Sequence, residues 1–348
     1  MKSLLIAAAA GALLAPAAHD LVSTQTVSEI RRTTFEFNES SSLVETTMLM
    51  NGEEQGGMPE MEQEKSSSRN GTLVDHTQAA EGGALLSFER EYLDLASAHS
   101  FAMTDPMGGD HSEDGEATSG LEGLRVNFVK EDGEFAASFP DDQPGDDDLL
   151  DALDAELPWA DFLPGSEVDT DEGWGLEPAV IWRTLHLGGD LAFENEDSDE
   201  EGMMSVSPPT DLDAVSFEGD VTATLAAIEE VDGVPHARVT LAIEFTCFQD
   251  LTDSMPDMDE EAPDDAPPGM GMPDIESMEL ETIFDGEGTL LWNMKSGLMT
   301  SLELELEVQE TQTILMNMEM GAESMEIEQI MTFEGEQVLS VGVEVENE

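Results

Sequence analysis

Positive charge is what this 348-residue chain has least of. Only 11 lysines and arginines stand against 80 aspartates and glutamates, a formal net charge of −69. Such a chain repels phosphate backbones and anionic lipid surfaces, which excludes nucleic acid as a partner. Cysteine is nearly absent too: the single Cys247 excludes a disulfide framework. It closes the alternating run Ala237, Val239, Leu241, Ile243, Phe245, Cys247, so it reads as a small buried hydrophobe on a strand, with no histidine nearby to activate it. After the first residues no run of about 18 apolar residues occurs, and no membrane-spanning helix or integral membrane segment is expected. Aromatic residues make up 5% of the chain, and 21 methionines replace part of that bulk. A nucleophile elbow, a zincin helix, a P-loop and a dinucleotide fingerprint are all missing. The six histidines (His19, His76, His99, His111, His186 and His236) are scattered without ligand spacing.

What is present begins with an address. MKSLLIAAAAGALLAPA has a basic start at Lys2, an apolar run and a small-x-small end at Ala15-Pro16-Ala17. Residues 1–17 read as a Sec-type signal peptide, with the mature chain starting near Ala18. No cysteine follows the cleavage site, so the expected product is periplasmic or extracellular and not a lipoprotein. The acids are spread along the whole chain. That favours a solvated surface adapted to a saline exterior over a specific cation site, with weak association of divalent cations by charge alone and no cofactor.

The fold class that follows is mainly β, α+β at the margin. Residues 18–145 form an N-terminal β-rich half and residues 191–348 a C-terminal one, the two together making one domain. Hairpin turns are expected at Glu81-Gly82-Gly83, Asp132-Gly133, Val231-Asp232-Gly233 and Lys295-Ser296-Gly297. A first strand over 21–37 breaks at Asn38-Glu39-Ser40 and a second closes at Asn51-Gly52; 52–70 and 101–120 read as polar loops. Residues 249–277, rich in Pro, Asp, Glu, Met and Gly, read as a disordered acidic insertion, and the final strands as 324–333 and 337–345. Leu302, Leu304 and Leu306 alternate with Glu303, Glu305 and Glu307, one face buried and one acidic. Tight hairpins make an antiparallel meander, which curls into a partly open barrel or splits into two packed sheets. Glutamate stands where lipid would demand an apolar band, which argues against an outer-membrane barrel.

Between the halves lies a helical, Trp-rich connector, residues 146–190. Asp146 caps a helix carrying Leu149, Leu150, Leu153 and Leu157 on one face, which Pro158 ends. Gly173 and Gly175 around Trp174 suggest a tight turn. Pro178 opens a second helix that buries Val180, Ile181, Trp182 and Leu185 and stops at Gly188-Gly189.

Three candidate sites emerge. Asp110, Ser112 and Asp114, followed by Gly115, match the opening of a calcium loop, but Leu121 stands where its closing acid belongs. Met255, Met258, Met270 and Met272 have spacings that suit Cu(I), a soft metal, whereas Met316, Met318 and Met320 alternate as one strand face and read as core. Trp159, Trp174 and Trp182 are placed to form a lid over an apolar cavity holding a lipid or other apolar small molecule.

The acidic Leu-rich stretch 149–157, Leu163-Pro164, the segment 168–174 and Leu187-Gly188-Gly189-Asp190 resemble a pattern of uncharacterised exported bacterial proteins. Arg90-Glu91-Tyr92 and the segment 286–292 are similar as well, although Asp171-Glu172-Gly173 stands where that pattern has Gly-Asp. The resemblance implies an exported β-rich protein. That family has no assigned activity, so no catalytic residue follows from it. The expected role is a non-enzymatic envelope or extracellular binding or structural protein. The alternatives are a lipid carrier, a methionine-based copper handler and a hydrolase without a recognisable motif.

Overall fold

Strict alternation builds the strands. In β13 (Leu298–Met320), Leu302, Leu304 and Leu306 are buried while Glu303, Glu305 and Glu307 are exposed, as the sequence predicts. The computed structural model describes residues 19, 21, 29–55, 62–81, 84–105, 109–151, 153–195, 214–252, 274–320 and 323–347. Their strands form one antiparallel sheet that does not close into a barrel. From one edge to the other it runs β7 (Glu134–Ser138), β6 (Arg125–Glu131), β4 (Ala84–Asp105), β3 (Glu62–Glu81), β1 (Glu29–Met50), β14 (Glu323–Asn347), then β13. It continues through β12 (Asp274–Asn293), β11 (Val234–Asp250) and β10 (Val215–Val231) to β8 (Gly173–Leu176). The short β2 (Glu53–Glu54) folds back on β1, while β5 (Gly109–Ser119) pairs with β4 and β9 (Phe193–Asn195).

The one α-helix among the described residues, α1 (Pro178–Leu185), shows that the sheet is curled. Arg69 of β3 donates to the Leu185 carbonyl at 3.5 Å, while the Trp182 ring lies 6.1 Å from Phe217 of β10. Five strands separate β3 from β10. Across a flat sheet that is about 29 Å, far more than the ~12 Å length of an eight-residue helix. The strands therefore wrap around α1, and one contiguous apolar core lies inside the curl.

The turns follow the expected chemistry. Asp132-Gly133 and Asp232-Gly233 take positive φ (53° and 104°, 51° and 77°), which matches the right-handed strand twist at two-residue hairpins. α1 begins at Pro178 and buries Val180, Ile181, Trp182 and Leu185 as expected.

Several expectations are corrected. The first strand of the N-terminal half pairs directly with the last strand of the C-terminal half, β1 with β14. No break occurs at Asn38-Glu39-Ser40: β1 runs through it, and a bulge between Leu43 and Glu45 absorbs the irregularity. Polar 62–70 is strand because it is bonded on both sides, to β1 and to β4, and ladder bonds need no apolar side chains. Residues 101–105 and 109–119 are also strand, since β4 is long enough to take β6 beside its first half and β5 beside its second. Gln249 and Asp250 belong to β11 and residues 274–277 to β12; the rest of the expected insertion, 253–273, lies outside the described residues, as do 1–18. The last two expected strands are one, running through Gly335, where a Cβ would stand 2.0 Å from the Ser40 carbonyl oxygen.

The first connector helix is replaced by two 3-10 turns, Asp147–Leu150 and Pro158–Phe162, and Pro158 opens the second one. Asp146 caps as expected, bonding the Asp148 amide. Beyond it the backbone is engaged elsewhere: Leu153 bridges Gly189, and the Asp154 and Ala155 carbonyls accept from Arg90. Trp174 sits in β8 opposite Ala223, not in a turn.

The outer face carries a carboxylate row. Asp220, Glu244, Asp285, Glu307 and Glu336 stand directly opposite one another on β10 to β14, all exposed. Like charges in this position repel, and molar salt screens them. Glu307→Gln is expected to melt roughly 1–3 °C above the wild type in ~20 mM salt and level with it in ~2 M NaCl. A gap that is the same at both salts in a calorimetric scan would show that the row is not repulsive.

Candidate functional site

The inner face of the curl has two zones. In the first, apolar side chains from β1, β14, β13, β12, β11 and β10 pack beneath a cover formed by residues 146–192. The cover spans from the β7 edge to the β8 edge and is tied down by polar contacts. Arg90, fully buried on β4, pairs with Asp75 of β3 through Nε–Oδ1 at 2.6 Å and Nη2–Oδ2 at 3.1 Å. The same guanidinium donates to the Asp154 carbonyl at 2.8 Å and the Ala155 carbonyl at 3.1 Å. Burial alone would pull the Arg90 pKa down; the Asp75 carboxylate outweighs it and holds the group above its ordinary value. Tyr92, also buried here, is pushed up to about 12 by burial, against the pull of Arg90.

At the end of α1, the His186 Nδ1 lies 2.8 Å from the Trp182 carbonyl oxygen, in donor geometry for a neutral ring. Burial, reinforced by the Arg69 charge, pushes its pKa down to about 4. Arg69 stacks 4.6 Å from the Phe37 ring centroid and is itself lowered by burial, opposed by Glu39 and Asp190. His19 joins the cover from outside through reciprocal backbone bonds with Val168.

Further along the strands the inner face turns polar. Glu39 accepts from Ser67 and Gln337, each at 3.2 Å. Lys65 lies 4.1 Å over the Phe333 ring, and burial raises the Glu310 carboxyl, opposed by Lys65. Cys247 is buried as expected, and burial pushes its thiol up to about 11, which leaves it protonated and unreactive near neutral pH. Beyond this belt lies a second apolar cluster: Leu251, Met278 and Ile314, with Ile275, Leu280, Met316 and Met331 packed on them.

The structure brings the three connector tryptophans onto one core. Trp159 and Trp182 are 4% and 5% exposed, while Trp174 is half-buried and donates from Nε1 to the Phe162 carbonyl at 3.1 Å. Ser112 and Asp114 lie exposed on β5, an extended strand opposite Ala102 and Ser100, so they do not wrap around a cation; Asp110 is a backbone member of the same strand. Among the described residues, no group of three or more His, Cys, Asp or Glu side chains is placed to hold a metal ion. Met255, Met258, Met270 and Met272 lie outside the described residues. A crevice lies beside Glu39, Glu310 and Phe333 and an open hollow beside Phe139, Pro144 and Leu150; neither of these two is an enclosed apolar cavity. No helix among the described residues is long and apolar enough to cross a membrane.

Sequence reasoning missed the Arg90–Asp75 tether. Its signal was a lone arginine in the run LLSFEREYL of a chain almost devoid of cations.

No family model matches the chain, and no curated protein matches it at a significant level. Among solved structures, the crystal structure of Pseudomonas aeruginosa OccK7 (OpdD) aligns with 90% of this chain and 99% of its own, at 7% identity and a TM-score of 0.18. Likeness at that level carries no statement about fold or function.

Three variants test the cover. Trp159→Ala is expected to cost ~3–5 kcal/mol in urea unfolding, as for a buried aromatic. Trp174→Ala should cost ~2 kcal/mol, because its ring is less deeply buried than that of Trp159; equal losses would refute this ranking. Arg90→Ala, which leaves Asp75 buried without its partner, should cost ~3–5 kcal/mol. For His186 the sign is fixed by the lowered folded value. Below the ordinary pKa of 6.5 the unfolded chain takes up a proton that the folded chain refuses until about pH 4. The stability that neutral His186 retains at pH 7 is therefore lost as pH falls from 6.5 to 4. His186→Asn should remove that part of the slope, and an unchanged difference between the two proteins across this window would contradict it.

Proposed function

We propose that this chain is an exported binding protein of the cell envelope or exterior that acts without catalysis and holds an apolar ligand beneath its cover. The observation that carries this reading is the open sheet. Strands β7 and β8 are its two edges, they do not bond each other, and the segment between them in sequence, with both 3-10 turns, supplies the first part of the cover, ahead of β8 and α1. That part can lift while β8 stays paired with β10, and lifting it opens a way to the contiguous apolar core that includes Phe35, Phe37, Leu302, Leu304, Leu339 and Val341. The polar tether at Arg90 favours this reading over a purely structural role. Its bonds to Asp154 and Ala155 are directional contacts that can be exchanged with water, unlike continuous core packing. The ionisable groups within the curl have structural partners: Arg90 holds the cover, His186 caps α1 and Cys247 stays protonated. Residues 1–17 serve as the export signal, and the acidic outer face suits a saline medium.

Native mass spectrometry of protein exported by its own signal tests both parts. The expected result is a mature chain starting near Ala18 that carries an additional mass removable by organic extraction, with the extracted protein taking up an environment-sensitive apolar dye. A chain bare in every preparation and inert to the dye would leave only the structural role.

A further inference from the structure

We propose that Met316, Met318 and Met325, with Met50 beside them, form a thioether site for a soft monovalent cation, Cu(I) in chemical class, at the far end of the inner face. Strand register puts the four together. Met318 stands directly opposite Met325 on the neighbouring strand, and Met316 stands opposite Ile327, two residues further along. On the other side of β14, Met50 of β1 is also opposite Ile327. Met325 is thus the direct neighbour of one methionine and the diagonal neighbour of two more, within reach of long side chains. All four fall on the inner face, since the buried Ile314 and Ile327 share their alternation on β13 and β14.

Met316 also packs on the second apolar cluster, but four observations set the group as a whole apart from ordinary core. On β13 itself the covered zone is built from Leu302, Leu304, Leu306 and Val308, whereas the far end changes to Met316 and Met318. Methionine has no special fitness for strands, so the change is not explained by propensity. Ile314 and Ile327 are 8% and 6% exposed, but the four methionines around them remain half-buried, reachable from solvent. The side chains next to Met316, Met318 and Met325 toward the core, Ile314, Ile327 and Gln329, are neutral, and carboxylates stand only at the margin, Glu53 opposite Met50 and Glu323 two residues before Met325. Finally, β13 and β14 contain no lysine or arginine, and the chain carries a net charge of −69. Neutral sulfur ligands in a negative field select a soft cation by ligand type and attract it by charge. This site uses none of Met255, Met258, Met270 and Met272, it takes Met316 and Met318 from the run that reads as core, and it does not depend on the apolar-ligand reading.

The test uses the full mature chain and Ag(I) as a redox-silent stand-in, followed by Cu(I) kept reduced and contested by a chromophoric chelator. The wild type is expected to hold about one ion tightly and to melt at a higher temperature with it, because a ligand that binds the native state stabilises it. Met318→Leu with Met325→Leu should lose that first ion and its thermal shift. Its apo melting point should stay close to wild type, because leucine conserves volume. A quadruple Leu variant at Met255, Met258, Met270 and Met272 should keep both. Wild-type Ag(I) binding in the Met318/Met325 variant would overturn the proposal, as would loss of the first ion in the quadruple variant alone.

Discussion

The pairing of the first long strand with the last holds the rest of the structure in place. β1 and β14 bond from Glu29 opposite Asn347 to Met50 opposite Ile327, joining residues 277 to 318 positions apart. Without that seam the chain would be two sheets, each with a long bare edge in the middle of the molecule. With it, the sheet is continuous enough to curl around α1 and present one inner face. The seam is also the costliest contact to form, because closing so long a loop is paid for in entropy before any ladder bond repays it. Gly335 shows how closely the two strands approach: only a residue without a Cβ leaves room for the Ser40 carbonyl.

Charge is sorted by this geometry. The outer face carries rows of carboxylates, where water and salt can screen them, while Glu39, Asp75 and Glu310 lie inside beside basic or polar side chains. The inner side of β1, β3 and β4 receives Arg31, Lys65, Arg69 and Arg90, a large share of the 11 basic residues in the chain. Each has a local role there: Arg31 pairs with Glu29 at 3.0 Å, Lys65 covers Phe333, Arg69 stacks on Phe37, and Arg90 ties Asp75 to the cover. A buried cation in so acidic a chain is readily compensated, which explains why scarce arginines can serve as internal tethers without a matching shortage of partners.

Much of the sheet is legible in the sequence, for a physical reason. Where one face of a strand is buried, as at Leu302 to Leu306 or Ala237 to Cys247, the period of two is imposed by the core and shows in the residues. Asp-Gly turns are legible because only a few residues tolerate positive φ. β5 and the first part of β3 are not legible, because these polar segments are held by backbone ladders and by polar side chains such as Lys65, Ser67 and Arg69, not by an alternating apolar face. The first connector helix is the opposite failure. Its leucines have helical spacing, but carbonyls that would close helical bonds are taken by Arg90 from β4, a partner distant in sequence. The candidate tryptophans are in the core because their bulk says so. The thioether cluster stays hidden because its members come from three strands whose order depends on the seam.

That dependence couples the two zones of the inner face. β14 runs under both: Leu339 and Val341 lie in the covered core, and Ile327 and Met325 lie at the methionine end. Its register against β1 is single and continuous apart from the bulge at Leu43 and Glu45, so the two ends cannot slip independently. A ligand that bridges β1, β14 and β13 at the methionine end favours the registered seam. The registered seam in turn is what places Phe37, Leu339 and Leu304 beneath α1. Whatever loosens the β1–β14 seam should therefore weaken both the packing beneath α1 and binding at the far end. Two sites that share no residue can thus communicate through one ladder, without any part of the sheet changing its shape.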